Sequence, residues 1–264
     1  MIDAEVVESN TQFISMWRVL AGDRPGAELI DRAGLAIRWA DSPFVFWNAI
    51  FLTTPVSEAA TLADRLAAAA AYMRTRRQAG LIFISEDYVA GPAKWEFDVI
   101  LAKEKLEFAL NVRGMVGDIL PFPSPVQSTL RFVRVADETT LRDYADLNSE
   151  GYGFSLEAGR AGLAGSKFWK ETAYAYVGYE DDEPVSAAAA IVNDGLLFLA
   201  LVATKPTAQR KGYGEATVRY ALQAAHEATG LSRTLLHATD AGFPVYRRIG
   251  YHFTTKFLTY RLAP

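Results

Sequence analysis

The chain has 264 residues, 50% of them hydrophobic and 22% charged. That is enough to build one large or two ordinary domains with real cores, and too apolar for a disordered chain. Lys and Arg number 27 against 31 Asp and Glu, leaving a formal net charge of −4, so a broad phosphate-neutralising face, and with it general nucleic-acid binding, is disfavoured. Cysteine is absent, which removes disulfides, thiolate metal sites, iron–sulfur clusters and a cysteine nucleophile, and His226, His237 and His252 are too scattered to mark a metal centre.

Residues 1–7 carry Asp3 and Glu5 where a secretion signal would place a positive charge ahead of an apolar run. The most apolar windows, 44–52 and 196–203, fall far short of the roughly 20 residues that span a bilayer. The expectation is a soluble, cytoplasmic protein with no membrane contact. In the first half, residues 47–53 read as a strand, 57–78 as an alanine-rich helix stopped at Gly80, and 81–85 as a second short strand. Arg74, Arg76 and Arg77 complement the negative end of that helix and are expected to face water, while Trp39, Phe44, Phe46 and Trp47 are expected in a core.

Pro121, Pro123 and Pro125 force an extended path through residues 117–129 and mark a boundary near the middle of the chain. We expect domains at 1–127 and 128–264. Beyond the boundary, residues 130–135 alternate like a half-buried strand, and Asp137 stands where a helix cap belongs, ahead of Leu141, Tyr144 and Leu147. Glycines at 151, 153, 159, 162 and 165 predict short, interrupted helix. Residues 174–179, 185–192 and 196–204 then read as successive antiparallel strands, the last two joined by Asn193-Asp194-Gly195. A helix over 215–229, ended by Gly230, is followed by a strand at 231–238, a short helix within 240–249 and a closing strand or hairpin at 251–262. Aligning Pro55 with Pro206 and Gly80 with Gly230 superposes strand, helix and strand in the two halves. A diverged duplication accounts for this, and so does the commonness of strand–helix–strand in any mixed domain.

The chemically informative stretch runs from an apolar strand through Lys205-Pro206 to Gln209-Arg210-Lys211-Gly212-Tyr213-Gly214 and directly into a helix. A helix start has four backbone N–H groups without internal partners and a positive dipole end. Gly212 and Gly214 allow close approach to those amides, and Lys205, Arg210 and Lys211 add local positive charge, so the expected ligand is a pyrophosphate. Thr217 stands where a dinucleotide fingerprint needs its third glycine, and the Gly-Lys-Ser/Thr of a P-loop is missing.

The segment resembles the acetyl-CoA signature of the GNAT superfamily of N-acyltransferases, Gln/Arg-x-x-Gly-x-Gly/Ala, matched by Gln209, Gly212 and Gly214. A second ordered motif follows, Tyr246 four residues before Gly250-Tyr251. The resemblance covers residues 130–262. It implies an α/β (α+β) fold with a central mixed, mostly antiparallel sheet flanked by helices, and raises the prospect of two such halves in tandem. It also implies acetyl-CoA as acyl donor, no metal, and a small-molecule or peptide amine as acceptor. By the same resemblance the pantetheine arm pairs along Val202, Ala203 and Thr204. The pyrophosphate sits on Arg210, Lys211, Gly212, Tyr213, Gly214 and Glu215, and Tyr246 protonates the departing thiolate. Thr239 replaces the Asn that often binds CoA seven positions before the tyrosine, and residues 197–202 lack the family's frequent carboxylate base. Candidate proton acceptors are His237, Glu150 and Glu157. The first half has Ser57-Glu58-Ala59-Ala60 where its repeat would bind pyrophosphate, which predicts lost cofactor binding there. The alternative function is a non-catalytic acyl-CoA-binding or assembly module.

Overall fold

The computed structural model describes residues 2–118 and 130–264. The three alternating prolines and the expected boundary between residues 127 and 128 lie outside the described residues. In chain order the elements are α1 (Ala4–Gly22), β1 (Glu28–Arg32), β2 (Leu35–Trp39), β3 (Asn48–Leu52), α2 (Ala59–Arg74), β4 (Leu81–Ser85), α3 (Gly91–Trp95), α4 (Phe97–Lys103) and β5 (Leu106–Asp118). The series continues with β6 (Arg131–Arg134), α5 (Glu138–Tyr152), α6 (Leu156–Leu163), β7 (Tyr174–Glu180), β8 (Glu183–Asn193), β9 (Leu196–Thr204), α7 (Tyr213–Thr229), β10 (Arg233–Thr239), α8 (Phe243–Arg248) and β11 (His252–Leu262). They form two compact units. One comprises Met1–Met115, Ala238–Pro244 and Phe253–Pro264, the other Val116–His237 and Val245–His252.

In the first unit the strand order is β1-β2-β3-β4-β11. All neighbours run antiparallel except β3 and β4, which are parallel, as the α2 crossover between them requires. The strands β2, β3 and β4 are buried along their whole length, as continuous apolar runs such as Leu81-Ile82-Phe83-Ile84 demand. Leu62, Leu66, Ala69 and Met73 of α2 pack against Ile50, Ile82 and Ile84, while Phe13 of α1 meets Phe51, Phe83 and Phe257 edge-on, with ring centroids 5.1 Å apart in each pair. Each buried Leu, Ile, Met or Phe side chain among these contributes on the order of 1.5–3 kcal/mol. Trp39, Phe44 and Trp47 are buried as expected. Arg74 and Arg77 are exposed as expected, and only Arg76 is drawn partly inward. Arg76 forks onto Glu28 and lies 3.9 Å over the Tyr72 ring, Arg77 pairs with Asp41 at 2.9 Å, and Arg74 donates to the Glu104 carbonyl at 2.6 Å.

In the second unit the order is β10-β9-β8-β7-β6, again antiparallel except for the β9–β10 pair, which α7 bridges. The α5 helix starts at a capping box, in which Asp137 accepts from the Thr140 amide at 2.8 Å, and ends at Gly153 in the left-handed region. Ser155 caps α6, so the glycine-rich segment is a real but short helix followed by a helical turn at Phe168–Thr172. Ala187 to Ala190 of β8 are all buried, small side chains that let helices approach the sheet closely.

Candidate functional site

Two features of β9 set the site. Its parallel pairing with β10 covers Thr234↔Leu197, Leu235↔Phe198 and Leu236↔Leu199 and stops there. On the opposite edge, Ala189 faces Ala200 but Ala187 faces Ala203, so β9 carries an extra residue against Ala188. This is a β-bulge, and Leu201 within it has φ +45°, a conformation that costs a branched side chain roughly 1–2 kcal/mol. Past Leu199, therefore, β9 presents an edge that β10 does not pair, over Ala200 to Thr204. The three positions expected to face the donor's arm, Val202, Ala203 and Thr204, lie on this stretch.

The end of β9 leads into the second feature. Lys205 starts a tight turn, its carbonyl accepting from the Ala208 amide at 2.8 Å. Gln209, Arg210 and Lys211 are exposed, and α7 starts at Gly212, which has φ +85° and provides no side-chain cap. The first-turn amides are left to an outside acceptor. A Cβ on Gly212 would meet no atom within 4 Å, whereas one on Gly214 would stand 2.5 Å from Thr204 Oγ1. The first glycine is needed for its backbone conformation, the second because the helix start touches the end of β9. Tyr213 is the first residue of α7. Its ring is buried and its hydroxyl donates to Glu180, which raises its pKa to about 12.

Glu215 would repel an anion at this helix start were it not paired. Arg248 of α8 holds it at 2.6 Å and Arg219 at 3.0 Å. Burial pulls the carboxyl upward, and the two guanidinium groups outweigh that pull, holding it below its usual range. Lys205 pairs with Glu183 at 2.5 Å and Lys211 with Glu180 at 3.6 Å. Sequence reasoning missed Arg219 and Arg248, although their spacing from Glu215 and Tyr246 was visible.

Tyr246 is buried on α8, with its ring 5.8 Å from that of Tyr251 at 75°. Burial first, then the neighbouring Tyr152 and Tyr251, push its hydroxyl well above the ordinary value. Tyr152 in turn donates to the Val202 carbonyl at 3.0 Å, so the acid candidate and the β9 edge share a neighbour. His237 stacks on Phe198, centroids 5.6 Å apart, and burial lowers it to about 3. Glu150 and Glu157 are exposed. Thr239 belongs to the other unit, where its carbonyl and Oγ1 accept from the Gly242 amide at 3.1 and 3.4 Å. Among the described residues there is no group of side chains suited to a metal ion, and no helix long and apolar enough to cross a membrane.

Residues 141–251 match the model of the "Acetyltransferase (GNAT) family". Among solved structures the chain is similar to a GCN5-related N-acetyltransferase from Kribbella flavida (TM-score 0.70, 16% identity, covering 100% of this chain and 97% of that one). It is also similar to a functionally unknown conserved protein from Staphylococcus epidermidis (TM-score 0.64, 12% identity, 90% and 94%). A third is a GCN5-related N-acetyltransferase from Sphaerobacter thermophilus (TM-score 0.62, 12% identity, 100% and 98%). No curated protein matches the chain by sequence. At these identities the structural likeness establishes the fold, and it runs the full length of the chain.

Proposed function

We propose, from the match of residues 141–251 to the GNAT acetyltransferase family model, that the protein transfers an acetyl group from acetyl-CoA to a primary amine by direct attack. The observation that carries this reading is the glycine-capped start of α7 lying against the end of a bulged strand edge that β10 leaves unpaired. Backbone groups of β9 that β10 does not take suit the amides of a pantetheine arm, and bare helix-start amides suit a diphosphate. The residues present therefore fit the donor. Gly212 to Glu215 would hold the diphosphate through backbone N–H groups, Arg210 would add charge while Lys211 shares its own with Glu180, and Val202 to Thr204 would pair with the arm.

Bound acetyl-CoA supplies an activated acyl carbon and a thiolate leaving group. Tyr246 keeps its proton at neutral pH because burial raises its pKa, so its hydroxyl is available to the sulfur as the carbon–sulfur bond breaks. The acceptor must lose its ammonium proton before its lone pair can attack. His237 serves this poorly, since a group held at about 3 binds protons only in acid. Glu150 and Glu157 remain, both in reach of solvent. With no cysteine in the chain, a thioester-linked enzyme intermediate has no carrier.

Isothermal titration with acetyl-CoA tests the first step. Wild type should bind, and Gly212→Glu or Gly214→Glu, which bring a carboxylate to the helix start, should lose binding. Equal affinity in the variants refutes the diphosphate assignment. The weak basicity of His237 also favours a second reading, an acyl-CoA-binding module without turnover. Tight acetyl-CoA binding with no CoA release across a panel of amines would select it.

A further inference from the structure

Two hydroxyls already occupy the strand edge that the proposed donor would use. Tyr144 and Tyr152 lie on α5 eight residues apart, a little over two turns. Tyr144 is fully buried, and its hydroxyl donates to the Leu201 carbonyl at 3.0 Å and more weakly to that of Ala200 at 3.4 Å. Tyr152, partly buried, donates to the Val202 carbonyl at 3.0 Å. The two phenols thus take consecutive carbonyls on the stretch that β10 leaves, at the residue whose left-handed backbone makes the bulge.

From this geometry we infer that Tyr144 and Tyr152 are positioning residues of the transfer reaction, whose hydroxyls clamp the carbonyls of Leu201 and Val202 and so hold the β9 bulge in the form that aims the donor's arm. The inference rests on the acetyltransferase reading above. A strained leucine reverts to regular extension unless something holds it. If the bulge relaxes, Ala203 and Thr204 shift in register, and in a strand a one-residue slip turns every side chain to the other face. Thr204 is the residue that touches the Gly214 position, so the slip would alter the distance between the diphosphate loop and the thioester. Affinity anchored at the diphosphate would survive, while alignment of the acyl carbon with Tyr246 would not. Burial raises both phenols, Tyr152 to about 12 and Tyr144 well above its ordinary value, so both hydroxyls keep their protons near neutral pH.

The test uses Tyr152→Phe and Tyr144→Phe in the full chain, each removing one oxygen and keeping the ring. Without ligand, amide hydrogen exchange across residues 200–204 should speed up about tenfold in either variant, the scale of one hydrogen bond. With acetyl-CoA and an active amine, kcat should fall about tenfold while the acetyl-CoA Kd stays within about threefold. Unchanged exchange at 200–204 in both variants overturns the clamp. So does faster exchange with kcat unchanged, and so does a Kd that rises in step with the loss of kcat. If Tyr144→Phe unfolds, Tyr152→Phe alone decides, because its ring is less enclosed. Failure of wild type to bind acetyl-CoA would instead overturn the donor reading, and it is seen before any variant is made.

Discussion

Tyr246 and His237 show how burial assigns roles to single side chains. Both are neutral at pH 7, but for opposite reasons: burial raises the phenol's pKa well above its usual value and lowers the imidazole's to about 3 from 6.5. For Tyr246 the outcome is a retained proton, so Tyr246→Phe should lower kcat roughly 10²- to 10⁴-fold and leave acetyl-CoA affinity nearly unchanged, as measured by CoA release and titration. For His237 the outcome concerns stability. The folded state keeps the ring neutral while the unfolded chain takes up a proton below pH 6.5. Above pH 6.5 both states hold the ring neutral, and stability falls as pH drops from 6.5 toward 3, by up to roughly 5 kcal/mol at 1.36 kcal/mol per pKa unit. His237→Phe should flatten the fall in urea midpoint between pH 7 and pH 4 relative to wild type, and an identical slope would show that another group governs it. The Tyr246 proposal comes from a local pattern, its spacing to Gly250-Tyr251. Tyr152 was not legible, because its partner, the Val202 carbonyl, lies 50 residues away and a backbone oxygen leaves no mark in a sequence.

Among the elements, those with chemical punctuation at both ends were readable. The α7 helix has glycine at either end, Gly212 and Gly230, each with φ positive, and the β8–β9 hairpin turns at Asp194-Gly195, both with φ positive. By contrast, α1 turns Ser9, Asn10 and Gln12 inward beside Phe13 and Met16, which blurs the apolar stripe that marks a helix. The β5 strand includes Asn111, Arg113 and Gly114, and its burial does not alternate. Gly114 is needed because a Cβ there would stand 2.3 Å from Ser9 Oγ, a close approach that only the fold reveals. The same kind of contact governs the α5–α6 pair. A Cβ on Gly159 would meet Ser149 Oγ at 1.9 Å and the Ala145 carbonyl at 3.0 Å. Gly159→Val should therefore push α6 off α5 and destabilise the fold by about 1–3 kcal/mol, read as a lowered urea midpoint. Gly165→Ala, where a Cβ would meet nothing within 4 Å but φ is +67°, should cost only the backbone strain, roughly 1 kcal/mol.

At the scale of the molecule, each unit runs antiparallel strands into a crossover helix and then a parallel strand: β1-β2-β3, α2, β4 in one and β7-β8-β9, α7, β10 in the other. We propose that this order reflects a duplication, which the paired prolines and glycines hinted at. That the last strand, β11, pairs with β4 of the first unit could not be read from local pattern, since no residue in it names its partner. The two helix starts differ in the way that matters for binding. Gly212 leaves the start of α7 bare, whereas α2 begins at Glu58, whose side chain adds negative charge where a diphosphate would dock. The segment before α2 is also taken up by protein: the Val56 amide donates to the Tyr88 carbonyl at 2.8 Å, the Ala90 amide to Val56 at 3.0 Å and the Ala93 amide to Ser57 at 2.8 Å. These backbone bonds tie residues 88–93 across the position that an anion would need. Titration should accordingly find one acetyl-CoA per chain, and Gly212→Glu should remove all of it. Two equivalents of comparable affinity, or a residual equivalent surviving in Gly212→Glu, would show that the first unit kept a working site despite Glu58.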